Sequence, residues 1–135
     1  MLIHIYKGTP TAGNADGTEV SEETGLAPIS IGPLDCTSEE VSDPVKLGIR
    51  CEAGYQTTGD VTITPAGTTA NMWALAPDNA GSAGVFGAYG AALTISSVIG
   101  ATNTIFWAKA KTEDETLPVN DATVDLQVEA TIEAV

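Results

Sequence analysis

Apolar and polar residues alternate with a period of two at the C-terminal end of the chain. The even positions from 124 to 134 are apolar, and the odd positions hold Asp125, Gln127, Glu129, Thr131 and Glu133. A half-buried antiparallel strand requires one apolar and one polar face, whereas a helix would scatter the same residues around its axis. The pattern therefore predicts a strand with an acidic outer face.

The same alternation recurs over residues 45–52, and weaker strand patterns cover residues 2–6, 28–34, 61–64, 72–76, 92–98 and 104–111. Residues 57–60 and the Gly100-Ala101 pair are typical of hairpin turns. The chain also holds 18 threonines and 14 glycines, which suit many strands with tight connections. Eight or nine short strands without a helical window predict an all-β fold.

An antiparallel β-sandwich of the immunoglobulin or fibronectin type III kind is the architecture that we expect. The 135 residues fit one domain, spanning 1–135. Trp73 and Trp107 are the candidates for its packed centre. The inter-sheet disulfide of immunoglobulin domains is not expected, because Cys36 and Cys51 are only 15 positions apart. Cys51 shares a strand face with apolar residues and is predicted to be a small core residue; a Cys36–Cys51 bond is the alternative.

The charge balance excludes several classes of partner. Eighteen acidic residues stand against five basic ones, for a net charge of −13. Nucleic acids and anionic membranes are therefore not expected to bind. Residues 80–101 are uncharged, but they contain only six strong hydrophobic residues, too few to span a membrane. The N-terminus lacks the pattern of a secretory signal peptide, which predicts synthesis in a cytoplasm.

The sequence contains no recognisable catalytic motif. His4 is the only histidine, and nucleophilic catalysis usually needs this residue as a base. His4 lies in the first strand pattern, where a packing or surface role is expected. No nucleophile elbow or phosphate-binding glycine loop occurs. We therefore expect a protein that is not an enzyme.

Calcium is the one cation that the acidic loops suggest. Residues 14–17 followed by Glu23 resemble part of an EF-hand loop, but Ala12 would occupy the first ligand position and no helices flank it. Acidic residues at 35–43 and 113–115 offer further oxygen ligands. Acidic loops more often serve solubility, so no cofactor or metal is predicted, with calcium as the alternative.

One uncharged segment is a candidate contact surface. Glycine recurs at every third position, at Gly81, Gly84, Gly87 and Gly90. The aromatic residues Phe86 and Tyr89 lie between these glycines. The segment is interpreted either as a loop folded over its own domain or as a surface that packs against a neighbouring subunit. Residues 84–90 and the N-terminal segment 2–17 are the predicted contact regions.

The most distinctive runs of the chain read VKLGIRCEAGYQTTGDVTIT, MWALAPDN, NTIFWAKAKTEDE and ATVDLQVEATIEAV. In style they resemble small Ig-like structural proteins of bacteriophages and prophages. That resemblance implies a non-enzymatic virion component, either a capsid decoration or a tail protein. It also implies contacts with other virion proteins and with further copies of the chain, and it transfers no catalytic residue.

A carbohydrate- or surface-binding Ig-like module is the alternative function. Such modules display sugar-binding loops in which aromatic side chains stack on the ligand. Trp73, Tyr55 and Tyr89 are the aromatic residues considered for this role. The position of both tryptophans in strand patterns favours core packing instead.

Overall fold

A computed structural model describes residues 2–19, 44–66, 72–110 and 125–135 of the chain. In these ranges the chain forms nine strands: β1 (Ile3–Lys7), β2 (Thr18–Glu19), β3 (Val45–Cys51), β4 (Tyr55–Ala66), β5 (Trp73–Asn79), β6 (Ser82–Ala83), β7 (Leu93–Ile95), β8 (Thr104–Ala110) and β9 (Asp125–Ala134). The described residues include no α-helix. Among them no helix long and apolar enough to cross a membrane is found.

The strands form two antiparallel sheets that pack against each other. The larger sheet has six strands in the order β2-β1-β3-β8-β5-β6, and the smaller has three in the order β7-β4-β9. The predicted all-β sandwich is confirmed. Its immunoglobulin or fibronectin type III subtype stays a prediction, as does the single domain.

The core lies between the two sheets and follows from the period of two. On β3, Leu47 and Ile49 are fully buried, and Phe106 on β8 lies opposite Leu47. Val61 and Ile63 on β4 supply the facing side of the same cluster. Burying each such side chain contributes about 1.5–3 kcal/mol relative to exposure, so alternate apolar positions are sufficient to hold the sheets together.

The predicted C-terminal strand is confirmed as β9. Its register with β4 pairs Val128 with Ile63 and Glu129 with Thr62. Leu126, Val128, Ala130 and Ile132 pack against the core. Glu129 and Glu133 are exposed on the opposite side. The acidic outer face expected from the alternation is therefore present.

The hairpin predicted at residues 57–60 is wrong. These residues lie inside β4, where the register with β9 shifts between Thr58 and Thr62. Gly59 has a φ of 75°, a conformation that serves a β-bulge as well as a turn. The chain turns earlier, where the Tyr55 N–H donates to the Glu52 carbonyl over 3.2 Å.

The hairpin predicted at Gly100-Ala101 is also wrong, because β7 and β8 belong to different sheets. The connection passes between the sheets instead. Its carbonyls at Ile99 and Gly100 accept hydrogen bonds from the N–H groups of Thr57 and Cys51. Turn residues are compatible with both arrangements, since they do not specify which sheet the next strand joins.

Phe106, and not Trp107, occupies the centre of the core. Consecutive strand residues point to opposite sides, so only one of the two can face the other sheet. Phe106 is fully buried, whereas Trp107 is half-buried on the outer side. Trp73 is partly buried and packs against the core cluster.

Cys51 is confirmed as a small core residue. It is 2% exposed, and its free thiol lies 3.4 Å from the Ile99 carbonyl as a donor. Burial raises the pKa of this thiol, which keeps it protonated and unreactive. Cys36 and the strand predicted at 28–34 lie outside the described residues. The strand predicted over 92–98 is shorter, as β7.

Candidate functional site

The outer face of the six-stranded sheet combines aromatic and cationic side chains. We call it the aromatic face; it is formed by Tyr6, Lys46, Arg50, Trp107 and Lys109, which point away from the core, together with Phe86 and Tyr89. Three of the chain's five basic residues are in this set. The carboxylates of Asp78 and Glu19 lie on the same side, since Asp78 accepts the Trp107 indole N–H and Glu19 is paired with Tyr6. The positive charge is therefore local to Trp107, which has Lys46 opposite it and Lys109 two residues along the strand.

Residues 8–17, which we call the N-terminal loop, cover one end of this face. Asn103 is 4% exposed, and its Nδ2 donates to the Thr11 carbonyl (3.1 Å) and to Asp16 Oδ1 (2.8 Å). Arg50 Nη1 donates to Asn103 Oδ1 and to the Asp16 carbonyl, both over 2.7 Å. The Arg50 guanidinium also stacks 3.4 Å from the Tyr6 ring centroid. Two backbone bonds add to these side-chain contacts, because the Gly13 N–H donates to the Asn103 carbonyl (3.1 Å) and the Asn103 N–H donates to the Asn14 carbonyl (2.7 Å).

The carboxylate of Asp16 is part of that network. It accepts the Thr11 backbone N–H over 2.8 Å, and this bond is the main cause that lowers the pKa of Asp16. Asp16, one of the residues that suggested an EF-hand, is thus held by hydrogen bonds to protein groups, whereas Glu23 lies outside the described ranges. In the described ranges no cluster of three or more His, Cys, Asp or Glu residues is placed to hold a metal. Residues 35–43 and 113–115 lie outside those ranges, so calcium stays an alternative.

Residues 84–90, the glycine segment, lie along the edge of β5. The glycine N–H groups donate to alternate carbonyls of that strand: Gly84 to Pro77 (2.8 Å), Gly87 to Leu75 (3.1 Å) and Gly90 to Trp73 (2.7 Å). The three-residue glycine repeat therefore matches the two-residue repeat of the strand. These bonds cover the edge of β5, which would otherwise be open to pairing with another chain.

Gly84 is required by a close approach of two backbone segments. A Cβ atom at this position would lie 2.9 Å from the Pro77 carbonyl oxygen. At Gly87 a Cβ would meet its nearest atoms only at 4.0 Å, which is ordinary contact. The two glycines therefore differ in how well they would tolerate a side chain.

The aromatic residues of the glycine segment lie against Lys109. The Lys109 ammonium is 4.5 Å from the Phe86 ring centroid and 5.6 Å from that of Tyr89, within cation–π range. To reach β8, the Phe86 ring must cross β5, whose outward residues Ala74 and Ala76 are fully buried. Both predicted contact residues are therefore half-buried on their own domain.

Val85 is the exposed apolar residue of the glycine segment, at 89%. Sequence reasoning selected its neighbours Phe86 and Tyr89 and missed this residue. The sequence signal for Val85 was its position directly after Gly84. Because the Gly84 N–H bonds to the edge of β5, the side chain of the next residue is directed away from that edge. The segment thus presents one exposed aliphatic side chain beside two partly exposed rings.

Trp107 was also missed as a surface residue. Its indole N–H donates to Asp78 Oδ1 over 2.9 Å. Lys46 lies directly opposite Trp107 in the β3–β8 register, and Lys109 lies two residues further along β8 on the same face. Trp107 is therefore flanked by two lysines.

His4 connects three segments of the fold. Its Nδ1 lies 2.9 Å from Glu19 Oε1, and its Nε2 lies 3.3 Å from Glu52 Oε1. The imidazole thus links β1 to β2 and to the turn after β3. This position agrees with the packing role expected from the strand pattern.

No protein-family model, curated protein or solved structure matches this chain. Its function is therefore inferred from the contacts described above.

Proposed function

We propose that this chain is a non-enzymatic structural or accessory protein of a bacteriophage or prophage virion, as a capsid decoration or tail component. The observation that supports this is the glycine segment, which fixes contact side chains on a sheet edge. Three backbone hydrogen bonds hold it to β5. Val85, Phe86 and Tyr89 are thereby held in place, which reduces the ordering cost of binding another protein.

The proposed partners are other virion proteins and further copies of the chain. Aromatic side chains are enriched in the central residues of protein interfaces. Phe86 and Tyr89 are such side chains, and the Lys109 ammonium lies against both rings. On this proposal the chain is synthesised in the bacterial cytoplasm and is located in the virion.

Mass spectrometry of particles tests the proposal. Particles would be purified after prophage induction of the bacterium that encodes the chain. Peptides from this chain at a stoichiometry comparable to that of known capsid or tail proteins are expected. Their absence from otherwise intact particles would contradict the proposal.

A carbohydrate-binding module is the second candidate, and the position of Trp107 favours it. Its half-buried indole faces outward beside Asp78 and Lys46, and such aromatic rings can stack on sugar rings. Titration with a panel of soluble oligosaccharides distinguishes the candidates. A saturable change in tryptophan fluorescence that Trp107→Ala abolishes would favour the sugar-binding function.

A further inference from the structure

The two outer faces of the sandwich differ in chemistry. The outer face of the three-stranded sheet, here the acidic face, consists of Gln56, Thr58, Thr62, Thr64, Gln127, Glu129, Thr131 and Glu133. These side chains are four threonines, two glutamines and two glutamates, and Glu129 and Glu133 are exposed. Opposite it, across the core, the aromatic face presents Trp107 between Lys46 and Lys109.

We infer that the acidic face of one copy docks on the aromatic face of a second copy. The inference deepens the proposed function and rests on the contact role given there to the glycine segment. It names the partner as another molecule of this chain. It also names the partner's surface as the outer side of β4 and β9.

Charge complementarity supports this occupant. Glu129 and Glu133 are four residues apart on β9, or about 13 Å along the strand. Lys46 and Lys109 are diagonal neighbours across two strands, about 7–8 Å apart at their Cβ atoms. Their flexible four-carbon stems allow the ammonium groups to reach the wider carboxylate spacing. Opposed charges of this kind fix register and exclude wrong partners.

Shape supports the same occupant. The rings of Trp107, Phe86 and Tyr89 give the aromatic face raised apolar groups, whereas threonines dominate the pairs on the acidic face. The threonine methyl groups supply a shallow apolar surface on which such rings can pack. A second acidic face could not provide this match, since like charges would meet.

The geometry of the sandwich makes the contact repeatable. Each copy has one face of each kind on opposite sides, so the contact is heterologous and leaves one face free at each end of a pair. Heterologous contacts continue into rings or open filaments. The three strands of this sheet have 12, 10 and three residues and so offer about 400 Å² on this side, at about 3.3 Å per residue and about 4.8 Å per strand. This is below the roughly 800 Å² per partner of standard interfaces, so each contact is weak and neighbouring contacts reinforce the assembly.

A mixing experiment with full-length variants tests the inference. Lys46→Gln/Lys109→Gln removes the positive charge of the aromatic face, and Glu129→Gln/Glu133→Gln removes the negative charge of the acidic face. Each variant alone should associate at least tenfold more weakly than the wild type in sedimentation velocity. An equimolar mixture should form 1:1 pairs with the wild-type dissociation constant and no larger species. In that mixture the lysine variant supplies an intact acidic face and the glutamate variant supplies an intact aromatic face. Each pair can therefore form one contact and cannot extend further.

Controls separate this inference from changes in net charge and from the proposed function. Glu39→Gln/Glu40→Gln removes the same charge at two positions that are not among the residues of either face and should associate as the wild type does, with circular dichroism confirming the fold of every variant. A wild-type chain that stays monomeric, or variants that associate normally, would overturn the inference. If the chain is nevertheless found in particles, the proposed function stands. If the mixed variants pair but the chain is absent from particles, the docking contact stands and the proposed function fails.

Discussion

Two segments cover parts of the aromatic face, and they are held there in different ways. The N-terminal loop is held by the side chains of Asn103, Arg50 and Asp16 together with two backbone hydrogen bonds between Asn103 and residues 13 and 14. The glycine segment is held by its backbone, through three glycine N–H groups that donate to β5. Both segments were predicted as contact regions from the sequence. The comparison favours the glycine segment, because its anchoring leaves the intervening side chains available to a partner.

The first prediction concerns the side-chain anchor. Asn103→Ala removes the donor to Thr11 and Asp16 and the acceptor of Arg50. Leaving these groups unsatisfied should lower the free energy of unfolding by about 2–3 kcal/mol. Urea denaturation measures the change.

The matched control for that variant is Asn79→Ala, which makes the same substitution at an exposed position of β5. It should change stability by no more than about 0.5 kcal/mol. Equal effects of the two substitutions would show that the network around Asn103 does not anchor the N-terminal loop.

The second prediction concerns the backbone anchor. Gly84→Ala places a Cβ 2.9 Å from the Pro77 carbonyl oxygen, so the edge must move, at a cost of about 1–2 kcal/mol. Gly87→Ala meets only ordinary contacts and should have little effect. Amide hydrogen exchange at Gly90 should accelerate in the first variant and not in the second. Similar exchange in both would contradict the proposed fit of the glycine repeat to β5.

The smallest expected effect is a pH dependence of the N-terminal loop. Hydrogen bonds lower the pKa of Asp16 from its ordinary value of 3.8. Its carboxylate therefore stabilises the fold above that value, and the contribution is lost as the pH falls through the lower folded pKa. Asp16→Asn removes this titration. The stability difference between the wild type and the variant should shrink as the pH falls below the ordinary value of 3.8; a constant difference would contradict the assignment.

The sequence predicted the strands well because burial on one face imposes a period of two. Residues 45–52 and the C-terminal alternation gave β3 and β9 almost to their ends. It did not predict which sheet each strand joins. The Gly59 bulge and the Gly100-Ala101 crossing both use residues that also suit hairpins, and long-range pairing decides between them.

The candidate site was predicted only in part, for a similar reason. The spacing of Gly84, Gly87 and Gly90 marked the segment as unusual, but its match to β5 carbonyls depends on a neighbouring strand. Trp107 points outward because the adjacent Phe106 is the one that packs in the core, and the local sequence does not show which of the two will be buried. The exposure of Val85 follows from the same edge pairing. Each of these properties arises from tertiary contacts that local pattern does not contain.

In the proposed function the glycine segment supplies the side chains that contact the particle. A particle-binding experiment tests that role directly. Phe86→Ser/Tyr89→Ser would be compared with Val98→Ser/Val135→Ser, which removes two apolar side chains that are 61% and 81% exposed elsewhere. Cosedimentation with purified particles that lack the chain measures binding, and circular dichroism confirms both folds. We expect at least tenfold weaker binding, about 1.4 kcal/mol, for the first variant alone. Equal binding by both variants and the wild type would show that the glycine segment does not make the contact.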